Sequence, residues 1–367
     1  MFVYLGEQVI LFVMKINLLH ILITIALLGL IAYMILPALN KIDLPTVSMS
    51  AMGSETAKAR VTEIIEDGEV NLSGTMQRYQ VVRVELLEGD YKGIVMEMEY
   101  GKRQVVSNNV YLEPGDDILV TIGSRPDGLL TVYFADFVRV NFILWLTAIF
   151  AITIIAISRW KGVRSLLSMV FSLAIIIGYI IPRILAGGDP LQVSITGSVV
   201  LLGLTLYVTY GWNLKTHAAV VSMIIVLLIT GALAVIFVVI TRLTGSGDEN
   251  ALFLIQLLNT QINLRGLLLG GMIIGALGVL DDLVTTQASA VFELHHANEA
   301  FGFRQLFQSA MRIGQDHVAA TVNTLVLAYA GASLPMLLMF SLGGGDYGKL
   351  VNFEFVAEEI VRTLVDP

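Results

Sequence analysis

"GLLLGGMIIGALGVLDDLVTTQASAVFEL", residues 266–294, is an apolar segment without proline in a chain of 367 residues. A helix needs about 20 predominantly apolar residues to cross a bilayer, and this segment is longer. The whole chain is 56% hydrophobic and 14% charged, whereas soluble domains carry about 25% charged residues. The pattern predicts an α-helical multi-pass membrane bundle with the lipid bilayer as its first partner.

Seven apolar runs are long enough to span a membrane. The first covers residues 18–36 and predicts an N-terminal anchor, because it lacks the small-residue cleavage site of a signal peptide. The other six are residues 140–158, 166–185, 191–210, 218–241, 266–294 and 318–342. Between the runs 218–241 and 266–294, residues 242–265 contain an apolar part too short to span, which favours an interfacial or re-entrant helix.

Residues 37–137 have a different character. Apolar and polar residues alternate there, and Gly, Pro and Asp turns interrupt them, which indicates half-buried strands. We expect about five or six strands in a small all-β domain, an OB-like barrel or a sandwich. The predicted organisation is an anchor (1–36), a β-domain (37–137), a helical bundle (138–342) and a C-terminal segment (343–367).

Charge indicates the orientation. Arg159, Lys161 and Arg164 lie between two predicted spans, and positive charge near span ends marks the cytoplasmic side. The N-terminus is therefore expected in the cytoplasm and the β-domain outside it. The net charge of −8 arises largely in one segment and gives no reason to expect nucleic acid. With no cysteine in the chain, disulfides and thiolate metal sites are excluded, and we expect no metal and no cofactor.

A stripe of small and polar residues follows one face of the sixth predicted span. Its members recur at steps of three and four: Gly271, Gly275, Gly278, Asp282, Thr285, Ser289 and Glu293. Asp281 lies about 100° round the helix from Asp282, so the two carboxylates cannot share a partner. We expect Asp282 on the functional face and Asp281 at its wet edge. The alternative is a span that ends near residue 280 and leaves both carboxylates in water.

The seventh predicted span has a similar row. It contains His317, Thr321, Thr324, Ala328, Gly331 and Pro335, and Asp316 and Asn323 lie beside it. Such rows also arise from ordinary packing, since small residues let helices approach closely. That interpretation is favoured for Thr321, Thr324 and Gly331, and helix packing is also expected of Gly271, Gly275 and Gly278.

Two segments resemble a known family. "GALGVLDDLVTTQASAVFEL" (275–294) and "RIGQDHVAATVNTLVLAYAGASLPMLLMF" (312–340) are similar to the YibE/F family of bacterial multi-pass membrane proteins. The resemblance implies the bacterial cytoplasmic membrane, and it matches the family's recurrent aspartate to Asp282. It also implies a last span after an E-I-V-R-x-L-V segment, here "EEIVRTLV" (358–365), which is followed only by Asp366 and Pro367.

The leading functional hypothesis is a transporter or permease for an unknown small solute or ion. Asp282 would bind a proton or cation, with Thr285, Ser289, Asn323 and Thr324 as polar ligands. Asp281, Asp316 and His317 are secondary candidates.

Two other classes stay open. A scaffold or regulator would bind a partner through the β-domain without moving a solute, and homo-oligomers are compatible with either class. "GGGD" (343–346) matches the short motif of intramembrane aspartyl proteases. Its Asp346 is expected on the opposite side of the membrane from Asp282, so we do not expect an enzyme.

Overall fold

The computed structural model describes residues 54–72, 74–103, 111–124, 130–258, 262–342 and 347–365. The predicted anchor at 18–36 and the "GGGD" motif with Asp346 lie outside these ranges. The described residues belong to two compact units, and the boundary falls between residues 153 and 154.

The first unit contains a closed barrel of five strands. The strands are β1 (Ser54–Leu72), β2 (Thr75–Leu86), β3 (Val95–Tyr100), β4 (Asp117–Ser124) and β5 (Leu130–Phe137). Their order is β1-β2-β3-β5-β4, and pairing of β1 with β4 closes the barrel. The β3–β5 pair is parallel and the other pairs are antiparallel. The predicted small β-domain is thus confirmed as a barrel.

Alternation along the strands forms the barrel core. On β2, Val82, Val84 and Leu86 are fully buried, because every second side chain of a strand points to the same face. The turn into β2 uses Gly74 at φ +90°, and the side chain of Asn71 accepts a 2.9 Å hydrogen bond from its N–H. A side chain at this positive φ would be strained, which favours glycine.

The helical elements follow in chain order. They are α1 (Val140–Ile175), a π-helical turn (Ile176–Ile180), α2 (Ile181–Leu185), α3 (Pro190–Tyr210), α4 (Leu214–Ile240), α5 (Glu249–Leu258), α6 (Leu264–Ala297), α7 (Phe303–Ala332), α8 (Leu334–Leu342), α9 (Tyr347–Leu350) and α10 (Glu354–Val365).

Helix α1 folds back on itself at Arg159, whose φ of 51° and ψ of −128° are not helical. A Cβ added to Gly162 would lie 2.6 Å from the carbonyl oxygen of Ile154. Residues eight apart in a straight helix are about 12 Å apart along the axis. The basic connection predicted between two spans is therefore a tight reversal.

Four helical segments are long and apolar enough to cross a membrane: Val140–Leu185, Pro190–Tyr210, Leu214–Ile240 and Leu264–Ala297. The seven predicted spans are not confirmed. The predicted span at 318–342 falls across the end of α7 at Ala332 and the nine-residue α8, so no continuous helix covers it.

Polar caps fix where three of the helices begin. The side chains of Asp189, Asn213 and Asn263 accept hydrogen bonds from the first turns of α3, α4 and α6. Such caps satisfy N–H groups that lack a partner within the helix. The amide of Asn263 also lies 3.4 Å from the carboxylate of Asp189, so α3 and α6 start side by side.

Helix α6 is the central element of the second unit and packs against α3, α4 and α7. Its buried apolar residues, including Ile273, Ala276 and Leu280, form one cluster with Leu206 of α3 and Met223 of α4. This packing selects the face of α6 that points inward.

Candidate functional site

The two consecutive aspartates of α6 have different neighbours. Oδ1 of Asp281 is buried and has no hydrogen-bond partner among the described residues. The side chain of Asp282 is 70% exposed, and its Oδ2 lies 3.4 Å from Nε2 of His317 on α7. The carboxylates diverge as predicted, but the predicted order of burial is wrong: Asp281 enters the bundle and Asp282 stays at its surface.

Asp281 lines a cavity of about 360 Å³ between α1, α3 and α6. The polar lining consists mainly of hydroxyl groups. They belong to Ser165, Ser168 and Ser172 of α1 and to Thr205, Thr209 and Tyr210 of α3. Asp281 is the one charged side chain among the described residues of this lining.

Helical spacing brings these groups to one place. The three serines of α1 are separated by steps of three and four, and Thr205 and Thr209 are four apart, so each set lies on one face of its helix. On α6, Ile274 and Leu277 also line the cavity and precede Asp281 on the same face.

Close approach of α3 to α6 depends on glycine. A Cβ added to Gly270 would collide with the side chain of Ser194 and lie 3.1 Å from the carbonyl oxygen of Pro190. At the predicted packing positions the result differs. A Cβ at Gly271, Gly278 or Gly331 would meet nothing within 4 Å in the described part of the chain. The glycine that permits packing is thus Gly270, on the neighbouring row of α6, because α3 contacts that row. Gly275, the fourth predicted packing position, is half-buried.

Thr285 belongs to the Asp281 side of α6. It is buried, and its hydroxyl donates a 2.7 Å hydrogen bond to the carbonyl oxygen of Asp281. The hydroxyl of Tyr210 donates to Thr285 at 3.4 Å. Thr285 was expected to serve Asp282; instead it connects the backbone at Asp281 to the cavity wall on α3.

Asp282 lines a separate groove of about 350 Å³ between α6 and α7. His317, Thr321 and Thr324 also line it, so the structure brings two predicted residues, His317 and Thr324, to Asp282. The remaining predicted residues do not line either space: Ser289 is half-buried, whereas Asn323 and Asp316 are exposed.

His317 also lines a larger cavity of about 800 Å³ with mostly apolar walls. Gln287 is one of its polar residues, and its amide donates a 3.0 Å hydrogen bond to the carbonyl oxygen of Ala310. This cavity contains no carboxylate among its described lining residues.

Sequence reasoning missed the serines of α1. The available signal was their recurrence at steps of three and four within an otherwise apolar segment. Polar groups on one face of a predicted span can mark a polar interior, but they can equally pack against a neighbouring helix. The facing threonines and Asp281 distinguish these cases only once the fold is known.

Long apolar helices around a buried carboxylate and a hydroxyl-lined cavity indicate a membrane protein. The profile of the family described as YibE/F-like protein matches residues 146–366, which is more than half of the chain. The chain therefore belongs to the YibE/F family, as the resemblance implied, and the matched region contains the whole lining of the Asp281 cavity. Neither a curated protein nor a solved structure matches the chain.

Proposed function

We propose that this chain is a membrane transporter in which the cavity at Asp281 binds a proton or a small cation during transport. The observation that carries the proposal is the buried Oδ1 of Asp281, which has no partner among the described residues and belongs to a hydroxyl-lined cavity. The proposal retains the predicted class of function and moves its central residue from Asp282 to Asp281.

Energetics support a function for this carboxylate. An aspartate in the middle of a membrane helix costs about 2.5–3.5 kcal/mol on insertion scales, so such residues are usually kept for a function. From Arg265, near the start of α6, to Asp281 the helix rises about 24 Å, so an upright α6 places Asp281 in the inner third of a hydrocarbon layer of about 30 Å, where the cost is below its value at the centre. Packing alone gives no reason to retain a charge there, because an alanine or leucine would pack without that penalty.

The neighbouring aspartate provides a matched control. Asp282 has the same charge and differs by one helical position, but it lies at the surface beside His317. A general effect of removing one negative charge from α6 would be the same at both positions. A requirement for the cavity carboxylate would appear only at Asp281.

The test is ion flux through liposomes that contain the purified full chain. Internal pyranine reports proton entry after a pH jump, ²²Na⁺ uptake reports sodium entry, and [¹⁴C]methylammonium uptake reports entry of a small protonated amine. We expect wild-type protein to pass at least one of the three ions, Asp281→Asn to reduce that flux to the level of empty liposomes, and Asp282→Asn to retain it. Equal flux in Asp281→Asn and wild type would contradict the role of Asp281. Wild-type liposomes that pass none of the three ions would contradict transport and favour the scaffold alternative.

We also propose the type of barrel and its side of the membrane. The strand order and the parallel β3–β5 pair support an OB-like barrel. The basic residues around the reversal of α1 support a cytoplasmic position for that connection, and hence an extracytoplasmic barrel in a bacterial cytoplasmic membrane. Labelling of cysteines introduced singly at exposed barrel positions, with a membrane-impermeant maleimide on intact cells, tests this orientation.

A further inference from the structure

We infer that the Asp281 cavity selects a small monovalent cation, either an alkali cation or a small protonated amine, over anions. The inference rests on the proposed function for its place in transport, but the binding it predicts can be measured separately. It follows from where the hydroxyl protons of the cavity wall point.

A hydroxyl group has one proton to donate and two lone pairs that accept. In the cavity wall, Ser172 donates its proton to the carbonyl oxygen of Ser168 at 3.0 Å. Ser168 donates to the carbonyl oxygen of Thr205 at 3.4 Å, and Thr205 donates to that of Leu202 at 3.4 Å. These protons are engaged by the backbone, so the lone pairs are left for a ligand.

The fourth hydroxyl is oriented through Thr285. Because Thr285 gives its own proton to the carbonyl oxygen of Asp281 at 2.7 Å, it can only accept from Tyr210. The Tyr210 proton therefore points to Thr285 and away from the cavity. An ionised carboxylate also only accepts hydrogen bonds, so Asp281 adds a fifth accepting group. Ser165 and Thr209 also line the cavity, and their hydroxyls can turn either a proton or a lone pair toward a ligand.

A wall of mostly accepting groups with one negative charge matches a small cation. Oxygen ligands suit hard cations, and N–H groups of an ammonium ion would donate to the same atoms. One carboxylate balances one positive charge, whereas a divalent ion would keep an uncompensated buried charge. The guanidinium of Arg164 does not line the cavity and donates to the carbonyl oxygens of Val208 and Tyr207 at 2.7 and 3.5 Å, so Asp281 is the charge that a ligand meets there.

The size of the cavity limits the ligand further. A volume of about 360 Å³ corresponds to roughly twelve water molecules at about 30 Å³ each. That space accepts a partly hydrated alkali cation or methylammonium with a few waters.

Equilibrium dialysis tests this inference with the full chain in nanodiscs of phosphatidylcholine, a lipid without net charge. The probes are [¹⁴C]methylammonium, ²²Na⁺ and [¹⁴C]acetate. We expect saturable binding of one or both cations and none of acetate. Asp281→Asn should weaken cation binding at least about tenfold, because hydrogen bonds to a charged group contribute about 1.5–3 kcal/mol. Asp281→Glu should retain binding, and Asp282→Asn should match wild type.

The two cation probes identify the ligand: methylammonium alone indicates an amine, and sodium alone an alkali cation. Saturable acetate binding, or cation binding that persists in a monodisperse Asp281→Asn variant, would overturn the inference. Ion flux through wild-type liposomes without cation binding would overturn the ligand class and leave transport standing. Cation binding without flux would support the ligand class and contradict transport.

Discussion

The hydroxyl of Thr285 donates a 2.7 Å hydrogen bond to the main-chain carbonyl oxygen of Asp281, one turn earlier in α6. The same hydroxyl accepts from Tyr210 of α3. This relationship fixes the direction of two protons at once. Neither the Thr285 proton nor the Tyr210 proton points into the cavity beside Asp281, so the Tyr210 oxygen can only accept there.

Replacing Thr285 with valine is expected to weaken methylammonium binding without unfolding the bundle. Valine has the same shape but no hydroxyl, so the Tyr210 proton loses its acceptor and can turn toward the cavity. We expect a loss of roughly twofold to tenfold in affinity, the equivalent of one neutral hydrogen bond. Dialysis in nanodiscs measures it. In a Tyr210→Phe background there is no proton to release, so adding Thr285→Val should cost no further affinity; a further loss there would contradict this explanation.

The direction of the two aspartates illustrates how far the sequence could predict the site. Consecutive helical residues diverge by about 100°, so the sequence predicted that Asp281 and Asp282 cannot share a partner. It could not predict which one points inward. That depends on α3, which contacts the row of Gly270, and on serines of α1 that are more than 100 residues earlier in the chain.

The same distinction applies to the fold. Alternation predicted strands at 37–137, because the period of two is a local property. The parallel pairing of Met98 with Val132 and of Glu99 with Tyr133 is non-local and was not predictable from the pattern. The length of the apolar runs predicted which segments could span a membrane. It could not predict the reversal of α1 at Arg159 or the division of residues 318–342 between α7 and α8.

Gly270→Ala is expected to destabilise the helical unit, and Gly271→Ala is its matched control. The added Cβ at position 270 would collide with Ser194, and overpacking of this kind typically costs about 1–3 kcal/mol. At position 271 the Cβ meets nothing within 4 Å in the described structure, and alanine favours a helix over glycine by about 1 kcal/mol. Thermal unfolding in detergent should show a lower midpoint for Gly270→Ala alone. Equal midpoints for the two variants would contradict the close approach of α3 and α6.

Gln80→Leu is expected to destabilise the barrel by about 1–3 kcal/mol, the usual penalty for an unsatisfied buried polar group. Gln80 is 2% exposed, accepts from the N–H of Leu112 at 2.9 Å and donates to its carbonyl oxygen at 3.2 Å. Leucine would leave both backbone groups without these partners. Arg83→Gln, which breaks an exposed ion pair with Glu63, should cost no more than about 1 kcal/mol. Hydrogen exchange of barrel amides in the full chain measures both. Comparable losses in the two variants would exclude a special contribution from the buried amide.

Two glutamates hold the C-terminal helix α10 against the connection between α4 and α5. The carboxylate of Glu354 accepts hydrogen bonds from the Thr244 N–H, from the Thr244 hydroxyl at 2.7 Å, from the Gly245 N–H at 2.9 Å and from the Ser246 hydroxyl at 3.2 Å. Burial opposes its ionisation, but these donors outweigh burial and hold the pKa of Glu354 below its ordinary value. Its contribution to docking is therefore present above pH 4.5 and is lost only as the pH falls through that lowered value.

Glu358, one turn further on, is expected to make the docking of α10 depend on pH near neutrality. It is 5% exposed, and burial raises its pKa to about 7, with the nearby Glu354 adding to the effect. The N–H of Gly247 at 3.3 Å and the charge of Arg362 oppose the shift. The carboxyl group of Glu358 binds its proton more tightly when α10 is docked than when the helix is free. The contribution of Glu358 to docking is therefore greatest below pH 4.5, where the group is protonated in both states. It weakens as the pH rises to about 7, by up to about 3 kcal/mol.

Hydrogen exchange of a peptide covering residues 354–365 measures this docking at pH 6 and pH 8, after correction for the intrinsic effect of pH on exchange. Wild-type protein should lose protection at pH 8. Glu358→Gln cannot ionise, so its protection should be the same at both values. Glu359→Gln is the control, because Glu359 pairs with Arg362 at 3.0 Å and is less buried; it should retain the wild-type loss. If Glu358→Gln lost protection between pH 6 and pH 8 as wild type does, the titrating group would be elsewhere, since glutamine keeps the size and the accepting oxygen of Glu358 and removes only its charge.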